Sequence, residues 1–483
     1  MRKYLHLLAF LWMVANTAMA QLPSKEINDI IKTAVDSKRS KSIIIGIIDS
    51  NGRRFFSEGV ISDDNPRRPD SNTMYEIGSI TKVFTSLVLA DMSLKRQLSL
   101  QDPISKFLPK SVKTPNTNGK EISLLDLSIH TSTFPRFPSN VDPKNLDDPY
   151  GDYSTKRLFE YVSTYQPDME IGSQWRYSNT AYGLLGHILT TVSKAKNYEE
   201  LIKAQICKPL SMRSTVISLT PLLLKNTATG YAEDGKQVAP LNLSAIEGGG
   251  AFRSNANDML SFAAANLGFI QSKLSAAMQL THTKQIQKER NSTEYATMSW
   301  TLWEKDGRNI IYKDGGTPGF RTFIGIDPQY KFAVVVLSNS NNGVTDIGKH
   351  VMKPNSPIST YIYRWNLLDT LRETIKNSGI DATITLYRAL KTLKHPQYFF
   401  DENQLNNLGH ELRKNKRIDD AIEIFELNQS EYPNSTLVYE SLGEIYKRYQ
   451  KDRKKALEFF EKAAKLEPSN PHWNFVIDKL KEN

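Results

Sequence analysis

The stretch Ser42-Ile-Ile-Ile-Gly-Ile-Ile-Asp49 has a composition typical of a β-strand, and Asn51-Gly52 joins it to a second strand-like stretch, Arg54-Phe-Phe-Ser57. An Asn-Gly pair between two runs of this kind predicts a β-hairpin. Further strand patterns appear only much later, at Asn309–Lys313, Gly319–Ile326 and Phe332–Ser338. Because the intervening chain is mainly helical, we predict one antiparallel sheet built from distant parts of the chain, with an inserted helical region.

The length of 483 residues exceeds what one ordinary core accommodates, and it predicts two or three folded units. An amphipathic helix is predicted near Ser24–Val35, and a longer apolar one from about Ser79 to Leu94. The formal charge of +10 falls to +8 without Arg2 and Lys3, and the charges are dispersed along the chain. Since no nucleic-acid-binding motif accompanies them, we expect no nucleic-acid partner.

The first twenty residues have the pattern of a secretory signal peptide. Arg2 and Lys3 precede an apolar run from about Leu5 to Val14, and Ala18-Met19-Ala20 supplies small residues at a cleavage site. The run is shorter than the roughly 20 apolar residues that a membrane-spanning helix needs. We therefore predict cleavage after Ala20 and a periplasmic or secreted protein with no stable membrane span.

Cys207 is the sole cysteine of the sequence, so an internal disulfide cannot form. Its neighbours include Ile202, Ile206 and Leu210, which indicates a helix end packed on a core. A lone cysteine in such a place usually behaves as a small apolar residue. We therefore do not predict a catalytic thiol.

The segment Gly78-Ser79-Ile80-Thr81-Lys82 has the residue types that covalent acyl transfer requires, a hydroxyl nucleophile and a nearby base. Three positions along a helix amount to one turn, so the amine of Lys82 is expected near the hydroxyl of Ser79. Ser193-Lys194-Ala195-Lys196 has the same spacing at a polar helix end. Only Ser79 opens a long apolar helix, which favours the first segment.

Two further motifs follow Ser79 in a fixed order, Tyr177-Ser178-Asn179 and then Lys313-Asp314-Gly315 at a predicted strand. A second Y-x-N match, Tyr432-Pro433-Asn434, lies inside a repeated C-terminal region. Other segments accompany the motifs: His130-Thr-Ser132, Trp175-Arg-Tyr-Ser-Asn179, Lys208-Pro-Leu-Ser-Met212, Gly248-Gly-Gly250 with Asn257-Asp258, and Gly315-Gly-Thr-Pro-Gly-Phe320.

Over about residues 25–350 the sequence resembles the class C β-lactamase and penicillin-binding-protein-like serine hydrolases, which include esterases, D-aminopeptidases and D-alanyl-D-alanine carboxypeptidases. The resemblance implies an α+β fold of the β-lactamase/transpeptidase type, with helices flanking an antiparallel sheet and a helical subdomain. It implies a small-molecule or peptide-like substrate, no cofactor and no metal. It also implies that Ser79 is the nucleophile, that Lys82 and Tyr177 share proton transfer, and that Asn179 orients the lysine and the substrate. By the same resemblance, Lys313 adds positive potential, and the backbone N–H groups of Ser79 and Gly316 form the oxyanion hole.

The sequence departs from the family pattern at two positions. Asp314 replaces a threonine whose hydroxyl can help to bind a substrate carboxylate, and Thr133 stands where many relatives have glycine. If the Asp314 side chain reached the pocket, it would repel a carboxylate and disfavour penicillins and D-Ala-D-Ala peptides. Strand alternation could instead point it away.

The C-terminal region contains a repeat. Ala421, Phe425 and Pro433 recur 35 residues later, while Gly409 recurs as Gly443 after 34. This pattern resembles the tetratricopeptide repeat over about 402–470, with one extra residue in the second copy and Asn428 where alanine is usual. The helical stretch at about 365–400 is expected to form a degenerate third unit or to dock the array on the main domain.

We therefore predict a signal peptide (1–20), a serine hydrolase domain (21–350), a helical connector (351–401) and an all-α repeat domain (402–483). The predicted function is hydrolysis of an ester or amide through an acyl-enzyme, with the repeats as an interaction or docking module for a protein partner. The alternative is a non-catalytic protein that binds an envelope ligand in the same pocket and recruits a partner through the repeats.

Overall fold

The computed structural model describes residues 22–145, 148–361, 367–395, 398–468 and 470–482. The predicted signal peptide at 1–20 lies outside the described residues. The chain forms two compact units, and the division between them follows Tyr361. In the described ranges, no helix is both long and apolar enough to cross a lipid bilayer.

The first unit contains the strands of the described chain. In order they are β1 (Ser42–Asp49), β2 (Gly52–Gly59), β3 (Tyr75–Glu76), β4 (Asn116–Thr117), β5 (Lys120–Glu121), β6 (Arg253–Ser254), β7 (Ile286–Gln287), β8 (Glu294–Ala296), β9 (Thr301–Lys305), β10 (Arg308–Gly316), β11 (Arg321–Asp327) and β12 (Phe332–Ser338).

Eight of these strands form one sheet in the order β2-β1-β12-β11-β10-β9-β8-β7, with antiparallel neighbours throughout. The predicted hairpin is β1 and β2, and β1 also pairs with β12, where Ile45 lies opposite Val336. This arrangement confirms a sheet assembled from distant parts of the chain. Strands β7, β8 and β9, which extend the sheet beyond β10, are not predicted from the sequence.

The continuous apolar run in β1 is explained by burial on both faces of the sheet. Ile44 and Ile48 face a large core shared with the helical region. Ile43, Ile45 and Ile47 face a smaller core on the opposite side. Alternation along a strand sends successive side chains to opposite faces, so a strand covered on both sides is apolar at nearly every position.

The helices of the first unit are α1 (Ser24–Asp36), α2 (Thr81–Leu94), α3 (Leu124–Ser128), α4 (Thr155–Thr164), α5 (Asn179–Ser193), α6 (Tyr198–Ile202), α7 (Pro221–Lys225), α8 (Ala256–Leu267), α9 (Ser275–Thr281) and α10 (Thr345–Met352). Buried residues of α1 and α10 pack on the smaller core, and those of α2, α5 and α8 on the larger. The predicted domain end at residue 350 falls inside α10, which packs against β11 and β12.

Helix α2 begins two residues later than the sequence predicts, because a 3-10 turn at Gly78–Ile80 precedes it. Gly78 adopts a φ of 51°, and a Cβ atom there would lie only 2.7 Å from the backbone nitrogen of Gly316. Glycine suits both the left-handed conformation and the close approach of β10. From Thr81 to Met92 every residue of α2 is buried, so the helix fixes Lys82 within the core.

The second unit contains these helices in its described residues: α11 (Leu367–Thr392), α12 (Glu402–Lys414), α13 (Ile418–Glu431), α14 (Thr436–Ile445), α15 (Arg453–Leu466) and α16 (Pro471–Glu482). The helix α11 is interrupted at Gly379, which has a φ of 84°. Leu371 and Tyr387 of α11 belong to the same hydrophobic core as the repeats. Helix α11, the described part of the stretch predicted at about 365–400, therefore packs on the array as an additional helical layer.

The repeat helices pack where the small residues recur. A Cβ atom on Gly409 would lie 2.4 Å from the ring of Phe425, and one on Gly443 would lie 2.7 Å from the ring of Phe460. The extra residue of the second copy coincides with a π-helical turn at Tyr446–Gln450, a feature that inserts one residue into a helix. The unusual Asn428 is fully buried and donates from its side chain to the carbonyl of Glu402 at 2.9 Å.

Candidate active site

Ser79 lies in the 3-10 turn that precedes α2, and its hydroxyl makes a hydrogen bond with the hydroxyl of Tyr177. Its Oγ atom is also 3.2 Å from Nζ of Lys82. The 3-10 turn at Gly78–Ile80 exposes Ser79 to a cavity, while α2 holds Lys82 beneath it. The structure therefore brings together Ser79, Lys82 and Tyr177. Lys82 lies three residues after Ser79 in the sequence, and Tyr177 lies 98 residues after it.

Lys82 is 0% exposed, yet its amine has polar partners. Nζ donates to Oδ1 of Asn179 at 2.6 Å and to the carbonyl oxygen of Gly249. Gly249 belongs to the Gly248-Gly-Gly250 segment, and its contact with Lys82 is not predicted from the sequence. These two acceptors fix the position of the amine next to Ser79.

The electrostatic surroundings of Lys82 disfavour its protonated form. Burial lowers the pKa of its amine well below the usual range, and the positive charges of Lys313 and Arg136 lower it further. The carboxylate of Asp314 opposes this effect. Lys82 is therefore a much stronger candidate for a base at neutral pH than an exposed lysine would be.

Tyr177 and Asn179 are held by the start of α5. The Ser178 hydroxyl accepts a hydrogen bond from the backbone of Ala181 and donates to the carbonyl of Pro135 at 2.8 Å. The backbone N–H of Asn179 donates to the carbonyl of Arg136 at 2.9 Å. The segment around residue 136 and the start of α5 are thus fixed to each other.

Burial, the largest influence, raises the pKa of Tyr177, and the hydrogen bond with Ser79 counteracts only part of this effect. The phenol is therefore protonated at neutral pH. His130 lies beside it, with ring centroids 4.6 Å apart, and its Nδ1 accepts from the backbone of Ser178 at 3.1 Å. Burial and the nearby lysines lower the pKa of His130, so a neutral imidazole supports the Tyr177 ring.

Lys313 lies on β10 and points its amine into the same cavity, 5.2 Å from the centroid of the Tyr177 ring. Burial is the main cause that lowers the pKa of Lys313 to about 8, while Asp314 raises it and Lys288 lowers it. On the same strand, a Cβ atom on Gly315 would lie 2.1 Å from the carbonyl oxygen of Ile77. The end of β10, including Gly316, is therefore pressed against the turn that carries Ser79.

A cavity of about 750 Å³ opens above these residues. Its wall includes three cationic and three aromatic side chains that are not among the predicted site residues: Arg136, Lys288, Arg321, Phe137, Tyr150 and Trp175. Trp175 belongs to the motif that ends at Asn179. The signal for Arg136 was its position four residues after Ser132, in a segment already connected with the site.

A buried ion pair supports another part of the cavity wall. Arg253 donates to Oε1 of Glu76 at 3.0 Å, and the backbone N–H of Leu241 donates to the same oxygen at 2.9 Å. Leu241 lines the cavity, while Glu76 lies three residues before Ser79. The pair thus connects the cavity wall to the segment that leads into Ser79.

The two departures from the family pattern have distinct structural settings. Thr133 adopts a φ of 68°, a conformation that glycine tolerates better than threonine. Its carbonyl accepts from Tyr165 at 2.6 Å and from Arg176 at 2.9 Å, which holds this backbone in place. Asp314 is exposed and lines the cavity, although it alternates with the buried Lys313 along β10.

The competing sequence matches lie in other surroundings. Ser193 ends α5, and its hydroxyl donates to the carbonyl of Thr190 at 3.0 Å, while Lys196 is exposed. Tyr432 follows α13 in the second unit. Cys207 is buried, and burial raises the pKa of its thiol to about 12. These residues do not line the cavity around Ser79.

Comparison with known proteins relates both units to described families. The sequence matches the Beta-lactamase family over residues 27–350 and the Tetratricopeptide repeat family over residues 437–470. It is 30% identical over 324 residues to the D-alanyl-D-alanine-carboxypeptidase/endopeptidase AmpH of Escherichia coli K12, covering 62% of this chain and 82% of that protein. It is 25% identical to a beta-lactamase of Pseudomonas fluorescens, covering 65% of this chain and 94% of that protein.

Solved structures show the same fold at lower sequence identity. A beta-lactamase/D-alanine carboxypeptidase of Pseudomonas syringae has a TM-score of 0.60 at 20% identity, covering 69% of this chain and 99% of its own. A penicillin-binding protein homologue of Pyrococcus abyssi has a TM-score of 0.61 at 22% identity, covering 68% and 77%. The predicted β-lactamase/transpeptidase fold of the first unit is thereby confirmed, as is the repeat character of the second.

Proposed function

The chain belongs to the beta-lactamase family, and we propose that it is a serine hydrolase that cleaves an ester or amide through an acyl-enzyme on Ser79. The observation that carries this proposal is the contact of one hydroxyl with both a buried amine and a phenol. Ser79 meets Lys82 and Tyr177 at the floor of an open cavity. This is the arrangement of nucleophile and base that acyl transfer requires.

The partners of Lys82 support a role as the base. A neutral amine has two N–H donors and one lone pair, and two carbonyl oxygens, from Asn179 and Gly249, accept from Nζ. In the neutral form this leaves the lone pair for the Ser79 hydroxyl. Because burial and neighbouring cations lower the pKa of Lys82, that form is accessible near neutral pH.

The proposed reaction begins when the Ser79 oxygen attacks the substrate carbonyl while its proton passes to Lys82. The negative charge on the carbonyl oxygen is stabilised by the backbone N–H groups of Ser79 and Gly316. The phenol of Tyr177 then gives its proton to the leaving group and is reprotonated from Lys82. Water attacks the acyl-enzyme by the reverse sequence, which releases the acid and restores the Ser79 hydroxyl.

The names of the relatives bear on the substrate class. AmpH is named as a D-alanyl-D-alanine carboxypeptidase and endopeptidase, and other relatives are named as beta-lactamases. These are amide-cleaving proteins, which supports an amide or an activated ester as the substrate here. We place the reaction outside the cytoplasm because residues 1–20 have the pattern of a signal peptide, and we assign the repeats to protein docking.

Turnover of an activated ester and of a fluorescent penicillin, measured for wild type and Ser79→Ala, tests this proposal. We expect wild type to hydrolyse the ester and Ser79→Ala to lose that activity, while Ser193→Ala retains it. If neither reagent reacts with wild type, the alternative is favoured, in which the pocket only binds an envelope ligand.

A further inference from the structure

Two side chains of α2 contact consecutive carbonyl groups of the glycine segment at 248–250. Nζ of Lys82 donates to the carbonyl of Gly249. Thr85, one helical turn further on, donates from Oγ1 to the carbonyl of Gly248 at 3.0 Å. Both side chains are fully buried. Because the two carbonyls belong to adjacent residues, the contact at Gly248 also influences where the carbonyl of Gly249 lies.

A tyrosine from another helix completes the contact at Thr85. Tyr198 is the first residue of α6, and its phenol oxygen lies 2.6 Å from Oγ1 of Thr85. The Thr85 hydroxyl has one proton, and the carbonyls near it only accept: that of Gly248 at 3.0 Å and that of Thr81 at 3.4 Å. Thr85 therefore donates to the nearer carbonyl and accepts from Tyr198. Burial, the largest influence, raises the pKa of Tyr198, so the phenol keeps the proton that it donates, with smaller contributions of the same sign from Glu247, Cys207 and Tyr182.

Helix α5 packs closely on the same glycine segment. A Cβ atom on Gly248 would lie 2.4 Å from the carbonyl oxygen of Tyr182. One on Gly186 of α5 would lie 3.3 Å from the ring of Tyr198. Residues without a Cβ atom thus allow α5, α6 and the segment to approach one another closely. The segment is therefore fixed by contacts from α2, α5 and α6 at once.

The hydroxyls of Thr85 and Tyr198 are separate from the groups that would carry out acyl transfer. Neither residue lines the cavity around Ser79. They reach the reaction only through the carbonyl of Gly249, which accepts one N–H of Lys82. The N–H groups and the lone pair of a neutral amine share one tetrahedral nitrogen, so a displaced acceptor lets the lone pair turn away from Ser79.

We propose that Thr85 and Tyr198 are positioning residues for hydrolysis on Ser79, because they hold the carbonyl of Gly249 against the amine of Lys82. The proposal rests on the proposed function, since it concerns the base of that reaction. The hydrogen bonds run from the phenol of Tyr198 to the hydroxyl of Thr85, and from there to the glycine segment. Because neither hydroxyl lies in the cavity wall, their loss affects the rate of the chemical step and not the binding of substrate.

The Tyr198→Phe variant tests this proposal with an activated ester as substrate. We expect kcat to fall roughly tenfold at unchanged KM, the loss expected from one hydrogen bond. Thr85→Val should lose at least as much, and Thr85→Ser, which keeps the hydroxyl, should recover most of the activity. The double variant should lose no more than Thr85→Val alone, because both residues act through one chain of hydrogen bonds.

Tyr231→Phe is the matched control. It removes another buried phenol, one that donates to the carboxylate of Asp63 at 3.1 Å and does not line the cavity. This variant should retain the kcat and KM of wild type. An equal loss of kcat in Tyr231→Phe would overturn the proposal, since it would show a general effect of removing a buried phenol.

Wild-type kcat in Tyr198→Phe would overturn the proposal, and so would a loss that appears only in KM. Crystal structures keep it testable if no ester is hydrolysed. In Thr85→Val the carbonyl of Gly249 should leave hydrogen-bonding distance of Nζ of Lys82, whereas in Tyr231→Phe it should stay. An unmoved carbonyl in Thr85→Val would overturn the positioning role. Absence of turnover by wild type together with the expected displacement would support the contact and count against the proposed hydrolase function.

Discussion

Nζ of Lys82 lies 2.6 Å from Oδ1 of Asn179, a residue 97 positions further along the chain. This contact joins the first turn of α2 to the first residue of α5. Together with the contact to the Gly249 carbonyl, it orients the amine so that its remaining hydrogen-bonding position faces the hydroxyl of Ser79. The amide of Asn179 is neutral, so it adds no negative charge that would favour the ammonium form of Lys82, and a charged replacement at this position can test the role of Lys82.

Replacing Asn179 by aspartate should move the acid limb of the kcat/KM pH profile to higher pH. A carboxylate at this distance favours the ammonium form, so the pKa of Lys82 rises and the free base appears only at higher pH. The exposed Asn118→Asp variant introduces the same charge outside the cavity and should leave the profile unchanged. An unshifted acid limb in Asn179→Asp would argue against Lys82 as the base.

The Tyr177→Phe variant should lower kcat by about 10²- to 10⁴-fold, the usual contribution of a positioned proton donor or acceptor. The ring that packs against His130 remains, so the thermal midpoint should change little. Tyr153→Phe removes another buried hydroxyl, one that donates to Asn140 at 2.8 Å, and should not affect kcat. A Tyr177→Phe enzyme with wild-type kcat would remove the phenol from the proposed proton path.

Asp314→Asn should shift both limbs of the pH profile to lower pH. Asp314 raises the pKa of Lys313, which is about 8, and also raises that of Lys82. Without its charge, Lys82 becomes a free base at lower pH and Lys313 loses its proton at lower pH. The measurement is kcat/KM for an anionic ester between pH 5 and 10, with the exposed Asp64→Asn as the control. A shift of either limb in the opposite direction would contradict this electrostatic assignment.

Gly443→Val should destabilise the helical unit and leave ester hydrolysis unchanged. A Cβ atom on Gly443 would lie 2.7 Å from the ring of Phe460, so overpacking should cost roughly 1–3 kcal/mol. Gly343→Val is the control, because a Cβ atom there meets nothing within 4 Å. Far-UV circular dichroism on heating, together with kcat/KM, separates the two effects. Loss of hydrolysis in parallel with the helical signal would mean that the repeats support the catalytic domain.

Much of the architecture could be predicted because local patterns coincide with the final structure. The Asn51-Gly52 pair specified the β1–β2 hairpin, and small residues at a fixed spacing specified the repeat helices. The order of the motifs around Ser79, Tyr177 and Lys313 indicated one site. Each of these signals reflects a strict requirement, such as a tight turn, a close helix contact or a reactive group.

Other features could not be predicted because they arise from long-range packing. The carbonyl of Gly249 meets Lys82 across 167 residues, and a carbonyl group carries no sequence signal. The short strands β7 and β8 have two and three residues, too few for a periodic pattern. Arg136 lies close to a sequence motif of the site, but its place in the cavity wall depends on the fold, in which its carbonyl accepts from the backbone of Asn179.

The most direct test of the central claim is the intact mass of the protein after brief exposure to an activated acyl ester or a fluorescent penicillin. We predict a mass increase of one acyl group in wild type, located by peptide mapping on Ser79 and absent from Ser79→Ala. An adduct that persists in Ser79→Ala, or that maps to another residue, would contradict the account.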